Sequence, residues 1–295
     1  MDVRITHPDK VLFPRDGYTK ADVVGYYVEV SDAMLPFMRN HPLAMLRFND
    51  GIDRERFFHK RTPKYFPSYI DRVQITIGDE KVNYSVCNNL EALAYIANHN
   101  SIELHLLTVR ADDLEHPDRM VFDLDPSIDD FEMVREATRW LHELLDEVGL
   151  PAFLMTSGSR GLHTWVPLDR KSDTEEVHSF AGEVARVLVD RHPEVLTTEF
   201  AKADRGSRIY FDVARNAPGQ HAVAPYSLRA KDGAPVATPI TWDELDDPKL
   251  TPQRWTMKTV TGRIGDDPWA GMAKKARSLS RARKALDRLA RRGSV

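Results

Sequence analysis

The sequence predicts an α/β fold built on a mixed or antiparallel sheet, not a doubly wound parallel one. Three observations predict it. Two-residue alternation recurs in short segments such as "SIELHLL" and "RIYFDVAR". Segments of helical periodicity stand between them, the longest near 133–148 and 173–191. In "AFLMTSGSRGLHTWVPL" two strands are joined by a tight Gly-containing turn, as in a hairpin, where parallel strands would need a long crossover. The 295 residues, 42% hydrophobic and 29% charged, suffice for an ample core in one large domain or two modest ones.

Taken in order, residues 19–39 read as helical with Thr19 as N-cap, and the helix start favours an anion. The stretch "RERFFHKRTPK" at 54–64 is strongly basic. Phe57 and Phe58 stand among its cations as a base-stacking platform would, yet adjacent strand residues point opposite ways, so at least one is expected in the core. "NLEALAYIAN" at 89–98 is a short amphipathic helix capped by Asn88 or Asn89. "SIELHLL" places Glu103 and His105 on one strand face. "RMVFDLDP" is the next strand, ended by Pro126. The helix over 133–148 takes Asp129 or Asp130 as cap and stops at Gly149 and Pro151. The helix over 173–191 has Ser172 and Glu175 at capping-box spacing. In "RIYFDVAR", Ile209, Phe211 and Val213 face the core and Tyr210 and Asp212 face away. "AVAPYSLRA" reads as the last strand of the same sheet. The division expected is a catalytic domain over 1–270 and a basic helical tail over 271–295, with leucines at 279, 286 and 289.

Composition narrows the function. No apolar run reaches the roughly 18 residues of a membrane span, and the N-terminal stretch lacks the apolar core of a signal peptide. Cys87 is the only cysteine, which excludes an intramolecular disulfide and a cysteine-based zinc site. It is expected to be a small buried residue in a cytoplasmic protein. Net charge is −4, but its distribution is uneven. Residues 112–132 hold nine acids and one Arg, whereas 54–64, 202–231 and 274–292 are basic. An acidic centre between basic patches suits metal in one place and phosphates in another.

Asp123 and Asp125 carry the strongest chemical signal. Alternation puts both on one face of "VFDLDP", with Phe122 and Leu124 on the other. Two carboxylates so close repel unless a cation lies between them, and hard divalent cations prefer carboxylate oxygen. Two such ions about 4 Å apart can clamp both oxygens of a phosphoryl transfer. The bland alternative pairs these acids with Arg119 or uses them to cap the turn before Pro126. Asp212, mid-strand opposite an apolar face, is the natural third ligand; its alternative is an ion pair with Arg208 or Arg215. In "TSGSRGLH" the turn's N–H groups form a nest for phosphate to which Ser157, Arg160 and His163 add donors, or the glycines merely satisfy backbone geometry. Arg205, Arg215, Arg229 and Lys231 suit a triphosphate or a solvated basic face. A lone strand histidine such as His105 is more often structural.

In order, "ELH", "VFDLDP", "SGSRGLH", "FDVARN" and "APYSLR" resemble the polymerase domain of bacterial ATP-dependent DNA ligase D, within the archaeo-eukaryotic primase superfamily, over roughly residues 3–265. The resemblance implies an archaeo-eukaryotic primase-type core, with mixed or antiparallel sheets around a central cleft and an RRM-like sheet module. It implies template-directed nucleotidyl transfer to a 3′-hydroxyl with manganese or magnesium in a two-metal site, ribonucleotides preferred, in gap filling or end joining. Asp123, Asp125 and Asp212 match its metal-binding and catalytic acids. Ser157 and His163 match its nucleotide-binding motif, and His105, Arg215 and Arg229 match further active-site positions. "PDKVLFP…GYTKAD" matches the segment whose lysines, here Lys10 and Lys20, bind a downstream 5′-phosphate. Phe57 and Phe58 match aromatics that stack at the template junction. Partners implied are gapped or broken-end DNA with a 5′-phosphate, NTP or dNTP, and a separate DNA ligase and end-binding protein, in a nucleoid-associated cytoplasmic setting. Arg160 departs from the family's S-G-S-K-G turn, keeping the charge but changing donor geometry. The chain reads as a stand-alone primase-polymerase. Two competing functions use the same residues: a metal-dependent nuclease or phosphohydrolase, and a non-catalytic DNA-end-binding module.

Overall fold

The computed structural model describes residues 3–292. In chain order the elements are β1 (Val11–Phe13), β2 (Tyr18–Thr19), α1 (Lys20–Glu29), α2 (Ser31–Met38), β3 (Pro42–Arg47), β4 (Phe57–His59), β5 (Asp71–Ile77), β6 (Glu80–Val86), α3 (Leu90–Asn98) and β7 (Ser101–Leu106). They continue with β8 (Arg119–Pro126), α4 (Phe131–Glu147), β9 (Phe153–Thr156), β10 (Leu162–Pro167), α5 (Thr174–Arg191), β11 (Leu196–Thr197), α6 (Lys202–Arg205), β12 (Ile209–Asp212), β13 (Ala222–Val223), β14 (Thr238–Ile240) and α7 (Leu279–Arg292). They form two compact units. One comprises Met1–Leu114, His221–Thr238 and Gln253–Asp267; the other comprises Glu115–Gln220, Pro239–Pro252 and Pro268–Val295. The last three residues of the expected tail lie outside the described residues.

The first unit is built on an antiparallel sheet in the order β13-β7-β3-β6-β5, with β4 also on β3. The expected long helix is two: Val30 closes α1 and opens α2. Thr19 caps α1 in a capping box with Asp22. Asn89 caps α3, its side chain accepting from the Ala92 N–H at 2.8 Å. Cys87 is fully buried, and burial pushes its thiol up to about 12, as suits a packing residue.

The second unit holds a six-stranded sheet in the order β11-β12-β8-β10-β9-β14. Strands β12, β8, β10 and β9 run antiparallel to one another in turn, and β11 pairs β12 in parallel. The mixed sheet expected from the hairpin turn is thus present. Helices α4 and α5 bury Val134, Leu141, Leu145, Val177, Phe180 and Val184. Phe122 and Leu124 are buried as alternation requires, which leaves Asp123 and Asp125 on the opposite face of β8.

Three local expectations are corrected. Asp173, not Ser172, caps α5: its carboxylate accepts from the Glu176 N–H at 2.8 Å and Glu176 accepts from the Asp173 N–H at 3.1 Å. An ionised acceptor outcompetes a neutral hydroxyl one residue away. Strand β12 ends at Asp212, because Val213 turns into a 3₁₀ turn over Ala214–Asn216 and is only half-buried. Most of "AVAPYSLRA" is not a strand. Only Ala222–Val223 forms a strand, and it pairs with β7, outside the sheet of the three aspartates, while Leu228 makes an isolated bridge to Val236. Pro225 has no N–H to extend the ladder, and Tyr226 adopts a left-handed φ of 65°.

Candidate active site

The site is assembled by register. Strand β8 lies between β12 and β10, with Asp123 opposite Asp212 on one side and His163 on the other. Asp125, two residues on, shares the face and stands opposite Tyr210. His163 Nε2 lies 3.2 Å from Asp123 Oδ1. Arg215 bridges the other pair, its Nε 3.3 Å from Asp123 Oδ2 and its Nη2 3.3 Å from Asp212 Oδ2. Asp125 meets Arg160 at 2.6 Å and Arg205 at 3.6 Å, and the Arg205 guanidinium lies 3.9 Å from the Tyr210 ring centre. Arg119 pairs with Asp118 instead, so the bland partner considered for Asp123 and Asp125 is engaged elsewhere.

Asp123 and Asp212 are deeply set, at 14% and 13% side-chain exposure, against 34% for Asp125. Burial, then the neighbouring Asp123 charge, raises the Asp212 carboxyl above its ordinary range even though Arg215 pulls the other way. Among the described residues no three or more His, Cys, Asp or Glu converge on a point that could hold a metal as the side chains lie; guanidinium groups pair with the carboxylates. The donor set nonetheless has the chemistry of a hard-cation site, since it offers carboxylate oxygens from three residues on one rigid sheet face.

The turn between β9 and β10 is tied by Ser157. Its hydroxyl accepts from the N–H groups of Ser159 and Gly161 at 3.1 and 3.2 Å, and its own N–H donates to the Gly161 carbonyl at 3.0 Å. Two of the N–H groups read as a phosphate nest thus point at the serine instead. Gly158 takes φ 63°, and Gly161 lies against the Leu124 carbonyl, between the two β8 aspartates.

One residue of the site was not singled out from sequence. Asn216 is fully buried; it accepts from the Val121 N–H at 2.8 Å and donates to the Val121 and Val213 carbonyls at 2.7 and 3.1 Å. It clamps the end of "FDVARN" to β8 two residues before Asp123. Arg205, 6% exposed, is held by the Glu199 and Phe200 carbonyls. The sequence offers it as a cation for a triphosphate or as part of a solvated basic face; the structure sets it beside Asp125 and Tyr210.

His105 and Arg229 belong to the first unit. Both meet Glu103: His105 Nε2 and Arg229 Nε each lie 3.1 Å from Glu103 Oε2, and the Ala230 N–H donates to Oε1 at 3.0 Å. Burial alone would raise this carboxyl, but the His105 hydrogen bond and the Arg229 charge hold it at about 2. A depressed carboxyl contributes stability above its unfolded value of 4.5 and loses it as pH falls toward 2. Glu103→Gln is therefore expected to cost on the order of 3 kcal/mol near neutral pH. Urea unfolding at pH 6 and pH 3 checks this, and the deficit should shrink at the lower pH.

Neither Phe57 nor Phe58 is in the core, contrary to expectation. Strand β4 lies off the main order of its sheet, so Phe57 is half-buried and Phe58 is 49% exposed, with edge contacts to His105 and His221 at 6.0 and 5.6 Å.

Lys10 and Lys20 are brought together by the backbone, where the Lys20 N–H donates to the Lys10 carbonyl at 2.7 Å. Lys20 is only 4% exposed, and its amine is held below the ordinary lysine value first by burial, then by the charges of Lys10 and Arg47. Arg47 was also missed in sequence; its Nε donates to the His99 carbonyl at 2.8 Å. Lys10 reaches Asp50 Oδ1 at 3.0 Å. The start of α1 does not add the donors expected of it. The Thr19 and Asp22 N–H groups are used by the capping box, and those of Lys20 and Ala21 by the Lys10 and Pro8 carbonyls. An anion here would meet side-chain cations, not a helix end.

A family model described as the LigD primase-polymerase domain matches residues 19–269. The multifunctional non-homologous end joining protein LigD of Mycolicibacterium smegmatis is 35% identical over 252 residues, 84% of this chain and 33% of that protein. The bifunctional non-homologous end joining protein LigD of Bacillus subtilis is 33% identical over 266 residues, 89% of this chain and 42% of that protein. The chain thus spans well under half the length of these curated relatives. Among solved structures, the polymerase domain from Mycobacterium tuberculosis ligase D in complex with DNA superposes with a TM-score of 0.87 at 31% identity, covering 93% of this chain and 99% of that one.

Proposed function

The chain belongs to the LigD primase-polymerase family and is a nucleotidyltransferase of the DNA-directed polymerase type; we propose that it adds nucleotides, with ribonucleotides favoured, to a 3′-hydroxyl in filling gaps and joining broken DNA ends. The observation that carries this reading is the shared sheet face of Asp123, Asp125 and Asp212, the first and last of them deeply set. Manganese or magnesium ions held by these acids would supply Lewis-acid stabilisation of the charge that develops in phosphoryl transfer. His163, fixed beside Asp123, and Arg160 and Arg215 supply donors and charge for a triphosphate. Ser157 shapes the turn that carries Arg160. Phe57 and Phe58 offer stacking surface to a template base. A separate ligase and an end-binding protein would complete such a repair.

Primer extension on gapped and ungapped templates, with both nucleotide types and either metal, tests the reading. Extension with ribonucleotides preferred in competition is expected. Shortening of the primer would favour a nuclease, and binding without incorporation an end-binding module. No helix among the described residues is long and apolar enough to cross a membrane.

Lys10, Lys20 and Arg47 form the proposed pocket for a downstream 5′-phosphate, which carries close to two charges. Burial that disfavours the Lys20 cation becomes an advantage once an anion fills the pocket, because the pair is then poorly screened. A gap bearing a 5′-phosphate should bind more tightly than one bearing a 5′-hydroxyl, each lysine contributing about 1–3 kcal/mol. Titration of both DNAs with wild type and Lys10→Ala/Lys20→Ala decides it. Equal discrimination by the double variant would remove the pocket from these residues.

A further inference from the structure

Helix α7 follows residues 19–269, the stretch matched by the family model, and is strongly basic. Residues 274–292 carry nine Lys or Arg and a single acid, Asp287, in a protein of net charge −4. One side of α7 is committed to α5. Leu279, Ala282 and Leu286 are buried there. Arg283 ties the same side down: its Nη1 lies 2.5 Å from Glu183 Oε1, its Nη2 donates to the Glu176 carbonyl at 3.0 Å, and its guanidinium sits over the Phe180 ring.

The opposite side carries Arg281, Lys284, Arg288 and Arg291, all exposed. Their spacing of three, seven and ten residues from Arg281 keeps them within one narrow stripe roughly 15 Å long. Among the described residues none of the four lies within ion-pair distance of an acid. The stripe contains no aromatic or large aliphatic side chain, so it lacks the buried anchor on which protein partners depend. The apolar side of the helix is already covered, so it cannot sink into a lipid interface as amphipathic surface helices do. What remains is a rigid row of cations, three of them guanidinium groups suited to bidentate contact with phosphate.

We infer that the outer face of α7 is a sequence-independent contact for the phosphate backbone of duplex DNA flanking the end being extended. The inference rests on DNA being this chain's substrate. Backbone contact fits an enzyme that must act at ends of any sequence, since phosphates position without specifying.

The test is fluorescence anisotropy of the full chain with blunt 5′-hydroxyl duplexes of two lengths over a salt series. Wild type is compared with Arg281→Gln/Lys284→Gln/Arg288→Gln/Arg291→Gln and with a charge-keeping variant, Arg281→Lys/Arg288→Lys/Arg291→Lys. The neutralised variant should bind the longer duplex about 10–100-fold more weakly at low salt. Its dependence of log affinity on log salt should be shallower by about 2–4, at roughly 0.9 for each phosphate that the variant no longer neutralises. The lysine variant should stay near wild type in slope. Both should keep the wild-type circular dichroism, because the substituted groups face solvent, and both should extend a primer at the wild-type rate when DNA is saturating. Equal affinity and slope in the neutralised variant would overturn the inference. So would an unchanged DNA affinity accompanied by lost binding to phosphatidylserine vesicles. If wild type binds DNA through α7 yet never extends a primer, the polymerase reading fails and this one stands; if it extends but binding ignores the four substitutions, the reverse holds.

Discussion

Asp123→Asn is expected to fold, to bind primer–template at least as well as wild type, and to incorporate nucleotides at no more than about one-thousandth of the wild-type rate, the equivalent of roughly 4 kcal/mol of lost transition-state stabilisation. Asparagine keeps the size of the side chain and one acceptor oxygen, for either His163 or Arg215, which now lie 3.2 and 3.3 Å from separate oxygens of the carboxylate. What it removes is the central charge of the face, the one carboxylate placed in register with both Asp212 and His163. On the proposed reading, a face that holds divalent cations against a triphosphate would lose both affinity for them and control of their position. DNA binding should survive or strengthen, since a negative charge no longer opposes the phosphates. Single-turnover primer extension beside anisotropy separates the two effects. Substantial extension by the variant would sink the assignment of Asp123, and loss of binding would mean that the face holds DNA and does no chemistry.

The sidedness of this face was legible because it is local. Two-residue alternation in "VFDLDP" and "RIYFDVAR" fixes which residues share a side, and the buried Phe122, Leu124 and Phe211 follow it. Helix boundaries came close for the same reason: caps such as Asn89 and Asp130 act on backbone three residues away. Pairing between strands was not legible. Nothing local in "AVAPYSLRA" says that its first residues add to β7, a strand more than 100 residues earlier. Arg47 and Lys20 meet by the same kind of long-range packing, and Asn216 reaches β8 across 95 residues of sequence. Glu103 could have been found, because it shares a strand face with His105 and a buried acid there demands a partner. Phe57 and Phe58 misled because adjacent strand residues divide between core and solvent only when the sheet is covered on one side, and β4 lies off the main strand order.

Gly161→Ala should cost more than its single methyl group suggests. A Cβ at this position would stand 2.0 Å from the Leu124 carbonyl oxygen and 3.2 Å from its carbon, with Pro126 Cδ at 3.5 Å. The obstacle is backbone in the centre of a sheet, so it cannot rotate aside as a side chain would. Either β8 moves away from β10 between Asp123 and Asp125, or the turn opens and the Gly161 N–H leaves Ser157 Oγ. Overpacking of this kind costs about 1–3 kcal/mol and at times more. The functional loss should be larger than the loss of stability: a displacement near 1 Å at positioned groups can cost about 100-fold in rate, and both ways of relieving the clash move a residue of the aspartate face or Arg160, which pairs with Asp125 at 2.6 Å. Gly182→Ala, in the middle of α5 with nothing within 4 Å of the added methyl, supplies the contrast. There the same change removes a flexible residue from a helix and should stabilise by about 0.5–1 kcal/mol. Urea midpoints of the two variants should therefore move in opposite directions, and only Gly161→Ala should lose extension activity. A Gly161→Ala protein with the wild-type midpoint and rate would show that the close approach of this turn to β8 does not hold the carboxylates in place.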